Sequence, residues 1–402
     1  MPIVVLIDAL AIGHHGTYMR LFSKSLLALD SRVLAFGPDP GGLLDWVRRH
    51  CSSSADRFSA FAIQEPQRMG RLPGSVRGSW MTAARWLLAA RAVRQARKAC
   101  GQSPDLVFFP WLDSYLRSLS GATLWGLRRV FRHPWAGLYF HPKHLRLPAM
   151  QPGRTDPVVL ERLLQAPNCR AVAVLDEGIA EQLAARIGGK PVIRFPDVAD
   201  DTKPNRSAPV LQEIAVRSLG RPIIGLIGSL EKRKGMLTLL EVARQSGAQD
   251  WFFLFAGELV RDSFSAAELE LIDTSRASLT NCWFHLRRVP DGAEFNALVD
   301  CCALLYLGYW GFPHSSNLLS KAAIFRKPVI VSDGFCMAER ARQYSLGLCI
   351  EEGNAAQCLA AVRSLLERPI EADHRAYLGQ HSEQRLLQSF EQLLAASADH
   401  GH

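Results

Sequence analysis

The sequence predicts an α/β protein built from two doubly wound, Rossmann-like domains that face each other across a cleft. Short apolar runs of the buried parallel-strand type alternate with helical patterns along most of the chain. A polar segment rich in Asp and Pro interrupts this alternation at residues 197–208, and the alternation then starts again. A length of 402 residues suits two domains of this kind.

The first predicted domain covers residues 1–205. Its strands are predicted from runs rich in β-branched, aromatic and small apolar residues, at 3–8, 32–36, 106–109, 136–140, 171–175 and 192–195. A loop at residues 9–16 separates the first strand from a helix at 17–29, and another helix is predicted at 178–187.

The second predicted domain covers residues 206–380, and residues 381–402 form a C-terminal helix. Strands are predicted at 223–227, 251–256, 282–285, 303–307, 329–331 and 347–350, with helices at 236–245, 293–300, 317–325 and 355–366. In the last helix, at 382–396, Leu386, Leu387, Phe390 and Leu393 recur at helical spacing. We expect this face to pack back toward the first domain.

The composition indicates a soluble globular protein of a reducing compartment. Hydrophobic residues make up 48% of the chain, and the nine cysteines form no C-x-x-C pair. Residues 1–8 lack a basic leader, and no run of eighteen apolar residues is present. We therefore expect a cytoplasmic location.

The positive charge lies almost wholly in the first half. Residues 1–205 contain 27 Lys+Arg and 16 Asp+Glu, whereas the rest contains 20 and 22. The segment from Arg68 to Lys98 carries eight cations and no acid, interleaved with Trp and Leu. Its pattern fits a helix on an anionic membrane surface, or a core helix with a solvated back. Contact with a membrane on its inner face is the favoured interpretation, and no nucleic-acid module is present.

Several familiar classes are excluded by missing motifs. The chain has no G-x-x-x-x-G-K-[ST] loop, no G-x-G-x-x-G after its first strand, no G-x-S-x-G and no zinc spacing. A kinase, a dehydrogenase and a serine hydrolase are therefore not expected, nor is a bound metal or a resident cofactor.

Two segments have the features of anion sites. Residues 228–235, Gly-Ser-Leu-Glu-Lys-Arg-Lys-Gly, place three cations in a turn after a strand. Residues 315–323 open a helix with small polar residues, where free N–H groups and the helix dipole favour negative charge. Together they predict a diphosphate site with these candidate ligands: Ser229, Arg233, Lys234, Ser315, Ser316, Asn317, Leu318 and Lys321. A solvated turn and an ordinary N-cap are the structural alternatives.

Residues 228–235, 253–258 and 315–333 resemble the donor domain of GT-B glycosyltransferases, in particular the bacterial polysaccharide and lipid-glycan transferases called family 4. The resemblance spans residues 222–353, whereas the first half agrees mainly in architecture. It implies a hexosyltransferase that takes a UDP- or GDP-linked sugar, without metal and with retention, to a glycan or lipid-linked glycan. It also implies that Lys234 and the helix start at Ser315 and Ser316 stabilise the leaving diphosphate, with Arg233 as a helper.

The sequence departs from that family at three positions. Many members carry two glutamates eight residues apart, and Pro313 and Lys321 stand at those places. A lysine cannot accept a hydrogen bond from a ribose hydroxyl, so Lys321 would reach a phosphate or point elsewhere. Ser229 replaces a basic residue after the strand-end glycine. These departures favour the rival interpretation, a catalytically silent GT-B subunit that binds a glycan or a protein.

Acid–base candidates lie in the first half. His141 follows a predicted strand whose end faces the cleft, and His14 and His15 follow the first strand. Such a histidine would orient the acceptor in a retaining enzyme or act as base in an inverting one, although histidines near turns are often structural. The remaining candidates are Gly13 and Gly16 in the first loop for binding the donor phosphates, Asp113 and Tyr115 as weaker catalytic choices, and Glu258 and Arg287 on the nucleotide side.

Overall fold

The computed structural model describes residues 1–10, 15–66, 74–119, 121–147 and 157–398, with the backbone alone at 74–76, 157, 158 and 246. The chain divides into two compact units. The first comprises Met1–Pro196 together with Ser382–His402, and the second comprises Asp197–His381. No helix within the described ranges combines the length and apolarity that crossing a bilayer requires.

The first unit is built on a parallel sheet of seven strands in the order β3-β2-β1-β4-β5-β6-β7. Its strands are β1 Ile3–Ile7, β2 Arg32–Gly37, β3 Phe58–Ala62, β4 Leu106–Phe109, β5 Trp135–Tyr139, β6 Cys169–Val174 and β7 Val192–Arg194. The sequence pattern missed β3 because this edge strand is only partly buried and has no continuous apolar run.

Helices cover both faces of this sheet. They are α1 His15–Ala28, α2 Pro40–His50, α3 Gly74–Cys100, α4 Asp113–Leu116, α5 Gly121–Val130, α6 Lys143–Arg146, α7 Pro157–Leu164, α8 Ala180–Arg186 and α17 Glu383–Ala398. Short 3-10 turns lie at Ser52–Arg57 and Glu177–Ile179.

The hydrophobic core of the first unit has two sides. The buried faces of α3, α5 and α7 form one continuous cluster with alternate residues of the central strands. On the other side, the ring of Phe390 from α17 lies 4.9 Å from that of Phe195, 5.2 Å from Phe22 and 5.3 Å from Phe108. These aromatic contacts fix the C-terminal helix in the first unit.

The second unit is built on a parallel sheet of six strands in the order β10-β9-β8-β11-β12-β13. Its strands are β8 Ile223–Ile227, β9 Phe252–Ala256, β10 Cys282–His285, β11 Leu304–Leu307, β12 Val329–Ser332 and β13 Gly347–Ile350. Its helices are α9 Pro209–Ser218, α10 Met236–Ala243, α11 Ala266–Ser278, α12 Ala293–Cys301, α13 Asn317–Ile324, α14 Cys336–Gln343, α15 Ala355–Glu367 and α16 His374–Gln380. Short 3-10 turns lie at Lys232–Lys234, Ser246–Ala248 and Arg261–Ser263.

The predicted fold class, two doubly wound α/β domains, is confirmed for each unit by itself. Every pairing in both sheets is parallel, and each unit reverses its strand order beside its first strand. The loops after β8 and β11 therefore leave the second sheet at its switch point, where doubly wound folds bind ligands. The division between the units lies at Pro196, before the predicted boundary at 205.

Candidate functional site

The turn after β8 is shaped by two glycines. Gly228 has φ +107° and Gly235 has φ +72°, conformations that L side chains rarely adopt. A Cβ atom at Gly235 would lie only 2.2 Å from the carbonyl oxygen of Gly308, just beyond β11. The glycine therefore allows the turn to approach the end of the neighbouring strand.

The three cations of this turn differ in their partners. Lys232 lies 2.6 Å from the carboxylate of Glu268, and Arg233 donates to Glu231 at 2.7 Å. No carboxylate of the described residues pairs with Lys234, whose Nζ would lie 3.1 Å from a Cβ at Gly228. Lys234 is thus the cation of this turn that remains available to a bound anion.

The loop after β11 lies directly against this turn. The backbone N–H of Trp310 donates to the carbonyl of Arg233 at 2.6 Å. The Arg233 guanidinium lies 5.1 Å from the ring centre of Phe312, and the Lys234 ammonium 5.4 Å from that of Tyr309. The turn at 228–235 therefore lies against the loop that leads into the second predicted anion segment, residues 315–323.

Helix α13 begins where this loop ends. Ser316 is its N-cap and makes no capping hydrogen bond through its side chain. Within the described chain, the backbone N–H groups of Asn317 and Leu318 have no acceptor, as is usual in a first helical turn. These donors and the helix dipole favour an anion at the start of α13.

Two predicted phosphate ligands use their side chains elsewhere. The Ser315 hydroxyl bridges the buried carboxylate of Asp197 and the buried guanidinium of Arg340. The Asn317 side-chain amide donates to the carbonyl of Val198 at 2.9 Å. Both side chains hold the segment after the unit boundary against α13, so α13 offers an anion its backbone and Ser316.

The prediction that Lys321 binds phosphate is contradicted by its surroundings. Its side chain is 1% exposed, and the ammonium lies 2.8 Å from the Asp291 carboxylate and 2.9 Å from the Asp200 carbonyl oxygen. It also donates to the Asn296 side-chain oxygen at 2.5 Å. These contacts use the three protons of the ammonium group. The sequence did not reveal this pairing, because Asp200 and Asp291 lie far from Lys321 along the chain.

The candidates for the nucleotide side lie at the ends of β9 and β10. Glu258 is exposed, and its backbone carbonyl accepts the N–H of Leu230. Arg287 is exposed and donates to Glu294 at 2.9 Å. The Ser229 hydroxyl donates to Glu231 at 2.8 Å, so it supports the same carboxylate that holds Arg233.

In the first unit, His141 is oriented by Asp113. The buried Asp113 carboxylate accepts the backbone N–H groups of Phe140 and His141, each at 2.8 Å, and lies 3.3 Å from Nδ1 of His141. The half-buried imidazole follows β5, at the carboxyl edge of the sheet where it was expected.

A second histidine–carboxylate pair lies at the end of β1. Nδ1 of the buried His15 is 2.7 Å from the buried Asp8 carboxylate, and the ring of Trp111 lies 4.2 Å from the imidazole. The sequence pattern pointed to His15 but missed Asp8, because Asp8 was counted as the last residue of the predicted strand 3–8, whereas β1 ends at Ile7. An acid directly after a buried strand was the available signal.

Other candidates of the first unit have different outcomes. Gly13 and His14 lie outside the described residues. Gly16 is exposed in the first turn of α1. Tyr115 was wrong as a catalytic candidate, because it lies in the core, its ring 4.4 Å from that of Phe109. Burial raises the pKa of its phenol far above the usual value, which suits a structural residue.

The second unit matches a known protein family. Residues 211–385 match the family described as glycosyl transferases group 1. This range includes the turn after β8, the loop after β11 and helix α13. No curated protein matches the chain in sequence.

Solved structures share the fold at low sequence identity. Sucrose-phosphate synthase from Thermosynechococcus elongatus has a TM-score of 0.68 at 16% identity, over 98% of this chain and 99% of that one. HepE of Anabaena in complex with UDP has a TM-score of 0.68 at 13% identity, over 98% and 100%. An α,α-trehalose 6-phosphate synthase from Burkholderia multivorans has a TM-score of 0.67 at 12% identity, over 100% and 99%. These likenesses show the architecture.

Proposed function

We propose that this chain, whose residues 211–385 match the family of glycosyl transferases group 1, is a glycosyltransferase and that its donor is a UDP- or GDP-linked sugar. The acceptor in this proposal is a glycan or a lipid-linked glycan, as in polysaccharide biosynthesis. Structures of the same fold support the donor class, because HepE of Anabaena holds UDP and an E. coli protein holds UDP-2-fluoro glucose.

The observation that carries the proposal is the position of Lys234. The ammonium has no carboxylate partner among the described residues and lies beside the loop that leads into α13. Breaking the bond between sugar and diphosphate leaves growing negative charge on the β-phosphate, which fixed cations and backbone dipoles stabilise. Lys234 and the first N–H groups of α13 are suited to that charge.

The remaining steps of the proposed reaction, retention included, are those that the resemblance to GT-B glycosyltransferases implies. Lys234 and the helix start supply the positive charge without a metal ion, and the departing phosphate takes the acceptor proton in a retaining transfer. His141, held by Asp113, orients the acceptor sugar. We place the reaction at the inner face of the plasma membrane, and the support for this location is the acid-free basic segment that ends at Lys98.

A matched pair of lysine variants tests the donor site. Lys234→Ala should weaken the binding of UDP or GDP by at least about tenfold and slow donor hydrolysis, because a charge-assisted contact to the diphosphate is lost. Lys232→Ala removes a cation from the same turn that is already paired with Glu268, so it should change affinity far less. Calorimetric titration of both nucleotides measures the difference. Equal losses in the two variants would refute the role of Lys234.

The rival function is a catalytically silent subunit that binds a glycan or a protein. It is favoured by Pro313 and by the internal pairing of Lys321 where family members carry glutamates. A thermal-shift series with UDP, GDP and their sugars separates the two functions, since a donor-using enzyme is stabilised by at least one of them. The absence of any shift would support the silent subunit.

A further inference from the structure

Helices α3 and α5 of the first unit lie side by side and run in the same direction. Near the start of α3, the Ser79 hydroxyl donates to the carbonyl of Ser118 and Thr82 donates to that of Arg117. Both acceptors directly precede α5. At the other end of the pair, His133 lies just after α5. Its pKa is lowered by burial and by the charges of Arg97 and Arg94, which are near the end of α3.

The outward face of α3 combines apolar and cationic residues in one stripe. Counted at 3.6 residues per turn, Trp80, Leu87, Arg91, Arg94 and Lys98 fall within about 60° of one another around the helix. Trp80 is 36% exposed and Leu87 is 48% exposed, and the three cations are exposed as well. The opposite side of the helix, including Trp86, lies in the core.

Helix α5 continues this surface. Trp125 is 61% exposed and Val130 is 44% exposed, and the guanidinium of Arg129 lies 3.7 Å above the Trp125 ring. Arg128 and Arg132 are exposed beside them. Because the buried sides of α3 and α5 share one core cluster on one face of the sheet, their outward sides point away from that sheet together.

Among the residues that the structure describes, no carboxylate pairs with a cation of this surface. Residues 74–147 contain twelve Lys+Arg, two Asp and no Glu. Asp105 accepts the backbone N–H of Ile3, and Asp113 is buried against the N–H groups after β5. On the neighbouring helix α7, Glu161 pairs with Arg186 at 3.1 Å.

We propose that the outward face of α3 and α5, defined by Trp80, Leu87, Arg91, Arg94, Trp125 and Arg129, docks on an anionic phospholipid bilayer. The arginines contact lipid phosphates, and the two tryptophans with Leu87 enter the interface between headgroups and acyl chains. Tryptophan rings favour that interface, and basic residues near an anionic leaflet add attraction that salt screens. The proposal adds the docking surface to the proposed function, whose lipid-linked acceptor lies in such a bilayer.

Flotation of the full-length protein with vesicles tests the electrostatic part. Phosphatidylcholine vesicles with added phosphatidylglycerol should carry the protein upward, whereas phosphatidylcholine alone should not, and added salt should release it. The double variant Arg91→Glu, Arg94→Glu should bind at least about 25-fold more weakly, at about fivefold per lost cation. The control Arg244→Glu, Arg276→Glu makes the same charge change at exposed positions of the second unit and should bind normally. Equal losses in both would overturn the surface assignment.

An apolar pair of variants tests insertion. Leu87→Ser with Trp125→Ser should weaken binding to the phosphatidylglycerol vesicles, because apolar area leaves the bilayer. Val216→Ser with Leu219→Ser changes residues of the second unit that are still more exposed, at 73% and 80%, and should have little effect. Unchanged binding of the first pair would refute insertion. Thermal unfolding of all variants confirms that they fold.

Two further measurements separate the outcomes. UDP and GDP titrations without vesicles test the proposed function alone. If the protein binds vesicles but neither nucleotide, the proposed function is refuted and the membrane-docking surface stands. Nucleotide binding without vesicle binding would overturn the surface proposal only. If duplex DNA binds in an Arg91- and Arg94-dependent manner while vesicles do not bind, the surface belongs to a nucleic-acid partner and the membrane proposal falls.

Discussion

The ammonium of Lys321 lies 2.8 Å from the carboxylate of Asp291, in the interior of the second unit. Asp200 and Asn296 complete its surroundings, and the lysine side chain is 1% exposed. Burial acts to raise the pKa of the Asp200 carboxyl, but the Thr202 hydroxyl and the charge of Lys321 outweigh it and lower that pKa. The residue that stands at a family glutamate position is therefore a structural cation that joins α13 to α12 and to the segment after the unit boundary.

Replacing Lys321 by methionine should destabilise the second unit by about 3 kcal/mol, because two carboxylates lose their buried cation. Native-state hydrogen exchange of the α13 amides measures the change in opening free energy. The control, Lys232→Met, breaks the more exposed pair with Glu268, which water screens, and should destabilise the unit much less. If Lys321→Met destabilised the unit no more than Lys232→Met does, the buried ion pairs of Lys321 would not contribute more stability than an exposed pair.

Gly235→Ala should disrupt the contact between the turn after β8 and the end of β11. The new methyl group would meet the Gly308 carbonyl oxygen at 2.2 Å and the Tyr306 hydroxyl at 2.7 Å. We expect a loss above about 4 kcal/mol in the free energy of unfolding, together with loss of nucleotide binding.

Gly334→Ala is the matched control for Gly235→Ala. Gly334 also has a positive φ, +102°, but nothing lies within 4 Å of its added Cβ. The cost there should be limited to backbone strain, about 1–2 kcal/mol. Chemical denaturation of both variants gives the comparison, and similar stabilities would show that the turn can move away from Gly308.

His141→Ala should slow sugar transfer to the acceptor by about 10²-fold while donor hydrolysis and nucleotide affinity stay near normal. The reason is that an acceptor-orienting group affects the placement of the attacking hydroxyl and not the diphosphate. His144→Ala is the control in the same turn, since His144 lies 3.4 Å from Glu161. Steady-state rates with acceptor and with water distinguish the roles. A parallel loss of hydrolysis would contradict the assignment.

The pKa of His133 should lie below its ordinary value of about 6.5 and rise when Arg94 and Arg97 become glutamine. Burial is the larger cause of the lowered pKa, so the rise should be partial. NMR titration of ¹³C-labelled histidine measures it, with Arg48→Gln, Arg49→Gln on α2 as the control. An unchanged pKa would place the two arginines away from His133.

The same lowered pKa predicts a pH dependence of stability. As the pH falls below about 6.5, the unfolded chain takes up the His133 proton before the folded protein does. The contribution of this histidine is therefore full above that value and is lost as the pH drops toward the pKa of the folded state. Denaturation midpoints measured between neutral and mildly acidic pH should show a smaller decline when Arg94 and Arg97 are glutamine.

The sequence located most strands of both sheets closely, because buried parallel strands are continuous apolar runs. Residues 106–109, 223–227, 282–285 and 347–350 match the strands β4, β8, β10 and β13 at both ends. It missed β3, whose residues are only partly buried. Tyr115 was taken for a catalytic candidate because its hydroxyl group gives no sign in the sequence that the ring lies in the core. The predicted resemblance to glycosyltransferases agrees with the family match at residues 211–385, which includes the local motifs that suggested it.

By itself, the sequence determined the two α/β units, the switch-point turn with Lys234, and the basic helix, since each depends on residues close together in the chain. The tertiary structure decided which of those charges are already neutralised. Lys232, Arg233 and Lys321 find carboxylates and Lys234 does not, among the residues described. It also placed Trp125 and Arg129 beside α3. Ion pairs and continuous surfaces are formed by residues that are distant in sequence, and only the packed fold brings such residues within a few ångströms of one another.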